Sequence, residues 1–268
     1  MTTPDISRAL TLKADGETVP FPGTSGRVRL TGREALSLLP AFFRLDLWNL
    51  TDDSYLRLAR AKTVAVLHGE TLLLSAAVRD ALRQPAKEGT LSSLTLVKNE
   101  ALWEAPVSCG FPAGTTAREA LETLLSESRT GIPLLSFPGE SPVFSRGRSF
   151  HDRCSRCIQS LLEDLSLRAS LVPAGLRVIP AGGLPVSLTL TEHDLPDAPL
   201  VVGASGSPET PSLMILTMPP AGFLPGETVH VKYGDVSAVG ILRERFLRLD
   251  TGKGPWTTEM LLEVIAHA

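Results

Sequence analysis

His151, Cys154 and Cys157 form an H-x2-C-x2-C run, and imidazole with thiolate is the ligand chemistry that zinc prefers. A closed structural site needs four such ligands. No second CxxC or HxxxH pair follows, and Cys109 is the only thiol left over. The cysteines also have a reading without metal. On a helix they would continue into Ile158, Leu161, Leu162 and Leu165 as one apolar stripe, and free cysteine often behaves as a small buried hydrophobe. A small metallohydrolase using His151, Cys154 and Cys157 is therefore the weaker hypothesis. Three cysteines, an odd count, imply no disulfide framework.

Other catalytic groupings are thinner still. No serine sits in a G-x-S-x-G elbow, and the nearest string, Gly203-Ala204-Ser205-Gly206, lies in a proline-rich turn cluster. The carboxylate pairs Asp52-Asp53, Glu163-Asp164 and Glu192 with Asp194 read as a helix cap, a polar helix face and a turn flank. Neither G-x-G-x-x-G nor G-x-x-x-x-G-K-[ST] follows a predicted strand, so no phosphate loop is expected. Thr251-Gly252-Lys253-Gly254 reads as a hairpin tip. Arg243, Arg245 and Arg248 form a basic run in which strand parity places Arg243 and Arg245 on one face, as a solvated surface or an inter-subunit salt bridge rather than a phosphate contact. No catalytic, cofactor-binding or metal residue is assigned, and no cofactor is expected.

The elements that would position these residues are mostly strands. Phe43, Leu45 and Leu47, then Val64 and Val66, then Leu72, Leu74, Ala76 and Val78, then Leu94 and Leu96 recur with period two, the pattern of half-buried strands. Between them, Asp52 or Asp53 is placed to cap a short helix carrying Leu56, Ala59 and Arg60. His68-Gly69-Glu70 reads as a hairpin turn. The stretch Phe42 to Asp80 thus encodes strand, helix, strand, turn and strand.

The period changes in the middle of the chain. Thr116 with Glu119 forms a capping box before a helix over 116–128, whose face carries Ala117, Ala120, Leu121, Leu124 and Leu125. A second helix is predicted over 149–166, opened by Ser149 with Asp152. Each leads to an apolar strand, Ile132 to Phe137 and Leu176 to Ile179, giving two similar helix-strand units. From Pro185 the period returns to two, and Trp256, Met260, Leu262 and Val264 face one way on the last strand, with Thr257, Glu259 and Glu263 on a wet face. The fold class is mainly β with an α+β insert: a first tube-like β-barrel over 1–106, a helix-strand insert over 107–180, and a second β-barrel over 181–268.

Composition agrees with a folded chain. Of 268 residues, 43% are hydrophobic and 21% charged, and 26 basic against 29 acidic residues give a net charge of -3, which lacks the positive excess of tight nucleic-acid binders. No segment reaches the roughly 18 to 20 apolar residues of a membrane-spanning helix, and MTTPDISRAL lacks the form of a signal peptide. No membrane insertion is expected, and the chain is expected to be made and kept soluble in a cytoplasm.

The stretch FFRLDLWNLTDDSYLRLARAKTVAVLHGETLLLSAAVRDA resembles the first barrel of the baseplate hub proteins of contractile-tailed bacteriophages, Mu-like phages among them. PPAGFLPGETVHVKYGDVSAVGILRERFLRLDTGKGPWTTEMLLEV resembles their closing region, with its Gly-x-Trp-x-Thr element, and VSCGFPAGTTAREALETLLSESRTGIPL resembles their helix-strand insert. The chain departs from the pattern at Ser75-Ala76-Ala77-Val78, where an aromatic and a glycine are usual. The resemblance implies a homotrimer whose two barrels per subunit form a pseudo-sixfold ring. That ring joins the tail tube to a central spike protein, lines the DNA channel, and contacts other baseplate proteins and the tape measure protein. It also implies a place in the virion after assembly in the host cytoplasm, no enzymatic activity, and a likeness to the hub of type VI secretion spikes. A carbohydrate-binding β-module is the main competing class, and it would need aromatic platforms from Trp48, Trp103 and Trp256.

Overall fold

The computed structural model describes residues 8–21, 26–202 and 212–267. The predicted order over 42–80 is present. Strand β1 (Thr11–Ala14), the two-residue β2 (Glu17–Thr18) and β3 (Val28–Ala35) precede β4 (Ala41–Trp48), helix α1 (Asp52–Arg60), β5 (Thr63–His68), β6 (Thr71–Ala86) and β7 (Gly89–Lys98). Gly69 takes φ +58° in the β5–β6 turn, a conformation that glycine adopts without steric cost. The cap of α1 is Thr51, whose side chain accepts from the Ser54 amide, while Asp52 and Asp53 occupy the first turn and favour the positive end of the helix dipole. Leu58 faces the core and Leu56 is exposed.

The central part holds α2 (Glu100–Glu104), β8 (Pro106–Phe111), α3 (Ala117–Glu127), β9 (Leu134–Ser136), β10 (Arg148–Arg153), α4 (Cys154–Glu163), β11 (Leu167–Val172) and β12 (Gly175–Pro180). The capping box on α3 is formed as predicted. The second helix starts later than expected, because 148–153 pairs as a strand with β8 and sets Phe150 opposite Cys109. Asp152 therefore does not cap through the predicted box, and the N-cap is Arg153, with no side-chain cap bond. Neither α2 nor β11 was anticipated. β11 pairs antiparallel with β12, which pairs parallel with β9.

The remaining strands are β13 (Leu188–Thr191), β14 (Leu200–Val202), β15 (Leu213–Met218), β16 (Thr228–Tyr233), β17 (Val236–Asp250) and β18 (Trp256–His267). The Gly203–Gly206 string and the rest of its turn cluster lie outside the described residues. A single pairing path runs β14-β15-β18-β17-β3-β4-β7-β6-β5-β1-β2, with β16 on β17 and β13 on β16. The chain is therefore mainly β with small helices. Strand pairing closes neither predicted barrel among the described residues, since one open sheet carries the strands of both.

The reason is β17. Its first half pairs with β16 and its second half with β3, while β18 follows it along most of its length. The register shifts between Leu242 and Glu244, where a bulge re-aims the strand. Three buried apolar clusters result. One lies under β1 to β7 and also takes Leu247, Leu249 and Trp256. A second joins α2, α3 and α4 to β8 and β12. The third is enclosed by β13 and by β15 to β18. Gly32 on β3 serves the first cluster, because a Cβ there would sit 2.3 Å from the Phe43 ring of the next strand.

Candidate functional site

Cys154 and Cys157 lie buried on the face of α4 that packs with α3, whereas His151 is exposed on β10. The His151 Nδ1 stands 2.8 Å from the Ser108 hydroxyl of the neighbouring strand. The helix boundary separates the imidazole from the thiols. The Cys154 thiol donates to the Leu124 carbonyl at 3.5 Å, and burial pushes its pKa up to about 11, against the Ser128 hydrogen bond. Burial also raises Cys109 and Cys157. A thiol that stays protonated is a poor ligand and a poor nucleophile. Among the described residues no group of three or more His, Cys, Asp and Glu side chains is placed to hold a metal ion. All three thiols are therefore expected to react at a small fraction of the free-cysteine rate with a thiol reagent at pH 8 in native protein, and at the full rate in denaturant. Fast native labelling of Cys154 would contradict this placement.

The carboxylate pairs serve structure. Asp52 pairs with Arg83 and Asp164 with Arg148. Glu163 accepts from Gln159, and Glu192 accepts from the Gly234 amide. Asp194 accepts from the Thr191 amide and hydroxyl, which hold its carboxyl below the usual range. Thr251 to Gly254 form the β17–β18 hairpin tip, tied down by Asp250, which accepts from the Gly252 amide and from Arg27 at 2.6 and 2.9 Å. Trp48 and Trp256 are buried. Trp103 is covered by Arg153 and Arg156, whose guanidinium carbons lie 4.5 and 5.2 Å from the ring centroid. No tryptophan is laid open as a sugar platform.

The basic run on β17 does not form one face. The bulge after Leu242 separates Arg243 from Arg245, which parity had placed together. Arg243 turns to Glu263, which also binds Arg168 of the helical region at 2.9 and 3.1 Å. Burial works to raise the Glu263 pKa, but the two guanidiniums hold it below the usual value. The expected wet face of β18 is to that extent covered. A cleft of about 370 Å³ opens beside these arginines, between Leu36 to Leu38 and the end of α4.

Arg245 is 1% exposed. Its Nε and Nη2 donate to Glu34 at 2.9 and 2.8 Å, and its Nη1 donates to the Phe223 carbonyl at 2.8 Å. Lys98, from β7, takes the other oxygen of Glu34. Burial pushes the Lys98 ammonium below the ordinary lysine value, with Glu34 opposing. Three strands from opposite ends of the chain thus meet at one desolvated carboxylate. Sequence reading missed this centre, because Glu34 and Lys98 carry no spacing signal and the bulge overturns the parity of Arg245.

The outer end of the sheet is of a different kind. Among the described residues β14 is the last strand on its path, and Leu200, Val201 and Val202 are 59, 40 and 42% exposed. Such an edge offers unpaired backbone groups and apolar side chains together.

The architecture matches solved structures. The tail protein from Neisseria meningitidis MC58 aligns with TM-score 0.67 at 12% identity, covering 95% of this chain and 96% of that one. A component of the Escherichia coli type VI secretion system, described as similar in structure to the T4 bacteriophage tail proteins gp27 and gp5, aligns with TM-score 0.67 at 12% identity, covering 95% and 77%. The 43 kDa tail protein of prophage MuSo2 from Shewanella oneidensis aligns with TM-score 0.63 at 10% identity, covering 95% and 97%. The chain has the fold these tail and secretion proteins share. No family model matches the sequence, and no curated protein matches it.

Proposed function

We propose that the chain is a structural subunit of a phage tail baseplate hub. Three copies form a ring that joins the tail tube to the central spike and lines the DNA channel, in a virion assembled in the host cytoplasm. The observation that carries the reading is the open sheet that, among the described residues, ends on the apolar β14 edge. An edge of this kind aggregates unless it is covered, and a second copy of the same chain covers it while generating a closed symmetric assembly.

The likeness in fold to phage tail proteins supports the same reading. Within each copy the first barrel-like unit corresponds to 1–106, the insert to 107–180 and the second unit to 181–268, with the late strands β17 and β18 extending into the first. The partners are the spike protein, the tube protein, neighbouring baseplate proteins and the tape measure protein. No chemistry is assigned to the chain, in keeping with the scattered roles of its carboxylates and the protonated state of its thiols.

Light scattering of the purified protein is expected to give a homotrimer, alone or with tube or spike protein. Val201→Lys is expected to leave a folded monomer, because a charge on the edge strand opposes strand pairing. A strict monomer at high concentration, with no ring in the presence of those partners, would overturn the reading.

A further inference from the structure

The face of the sheet turned away from the first apolar cluster carries a cross-strand row of alternating hydroxyl and guanidinium groups. Thr257, Arg248, Thr31, Arg44, Thr95 and Asp80 stand opposite one another in turn across β18, β17, β3, β4, β7 and β6. Arg33 flanks the row on one side and Arg29 on the other. Guanidinium and hydroxyl groups are the donors that bind phosphodiester oxygens.

Each of these arginines is engaged by a carboxylate of the same face. Asp46 accepts from Arg44 at 2.9 Å and from Ser93 at 2.6 Å, and pairs with Arg29 at 3.3 Å. Glu244 accepts from Arg33 Nε at 2.9 Å, and Glu259 pairs with Arg248 at 3.3 Å. Asp80 closes the row, its carboxylate accepting from the Ala81 amide. Four guanidiniums thus meet three carboxylates, with the Asp80 charge beside them, and at the margin Arg79 pairs with Glu100. The heights differ: Arg33 and Arg44 are 65 and 61% exposed, but Asp46 is only 5% exposed.

We infer that this face is a masked phosphate-binding surface, along which a phosphodiester polyanion passes without being held because Glu244 and Glu259 occupy the two guanidiniums beside them. The inference rests on the hub reading for the identity of what passes. The masking itself is a property of the pairs on the sheet. Free arginines in this arrangement would release counterions on binding DNA, and the paired ones would not.

The test compares wild-type protein with Glu244→Gln/Glu259→Gln, which leaves the buried Asp46 in place. A short DNA duplex should bind the wild type no more than the background. The variant should bind it, with affinity falling about tenfold between ~50 and ~200 mM salt, the slope of about two phosphate contacts. Adding Arg33→Gln/Arg248→Gln should abolish the gain. The inference is overturned by wild-type protein that already binds with this slope, by a variant that gains nothing, by a gain that survives loss of both arginines, or by polyglutamate binding the variant as well as DNA does. Light scattering on the same samples reports the trimer, so failure of the hub reading is visible separately.

Discussion

Glu34→Ala is expected to destabilise the protein by about 3–5 kcal/mol, the cost of breaking a buried ion pair from one side. The variant leaves Arg245, 1% exposed, and Lys98, with a 10% exposed side chain, as two like charges without their carboxylate. Arg245 keeps only the Phe223 carbonyl. Lys98 has the easier escape, because burial already lowers its pKa and Glu34 is what opposes that.

The sign of the pH response follows. With Glu34 gone, folded Lys98 loses its proton at a lower pH than unfolded Lys98 does, so the unfolded chain binds more protons in that interval. Stability of the variant therefore rises as pH increases from neutrality toward the ordinary lysine value, and the defect shrinks. Urea denaturation at a series of pH values measures both effects. A loss below about 1 kcal/mol, or a defect that deepens with pH, would contradict the geometry. Replacing all three residues by apolar side chains of similar volume is expected to cost far less, since no charge is then left buried.

Leu161→Ala is expected to cost about 2–5 kcal/mol, from lost transfer energy and the cavity left behind. Leu161 is fully buried in a cluster with Leu121, Leu124, Leu176 and Val178, none of which belongs to the large sheet. The loss should therefore fall on the helical region. A calorimetric scan is expected to show an early transition split from that of the sheet, and native hydrogen exchange is expected to quicken in α3 and α4 before β4 and β7. A single transition lowered as a whole would instead mean that the three clusters unfold as one unit.

Much of the local structure was legible because short-range rules decide it. The alternation through Phe43, Leu45 and Leu47 marks a strand with one dry face, and all three are buried. The Thr116 and Glu119 box starts α3 because both partners lie within one turn. Where a distant segment competes, the local signal loses. Ser149 to Arg153 look like a helix start, yet pairing with β8 satisfies their backbone and delays the helix to Cys154. The expected face of β18 was sound at Trp256, Met260 and Leu262, but Glu263 is mostly covered because Arg243 and, from another region, Arg168 reach it.

The candidate site divides the same way. The apolar stripe of α4 already accounted for Cys154 and Cys157, and their burial in it holds the thiols protonated. The ion centre had no counterpart in the sequence, since Glu34, Lys98 and Arg245 are unremarkable in isolation and meet only through strand order.

The sequence by itself determined where most of the strands and helices lie and which of their faces are dry, because periodicity, capping and turn chemistry act within a few residues. Only the tertiary structure decided that the early and late strands make one open sheet, that Arg245 turns inward while Arg243 does not, and that among the described residues the sheet ends on an apolar edge at β14. These depend on cross-strand register, and a one-residue bulge in β17 reassigns the side chains beyond it to the other face.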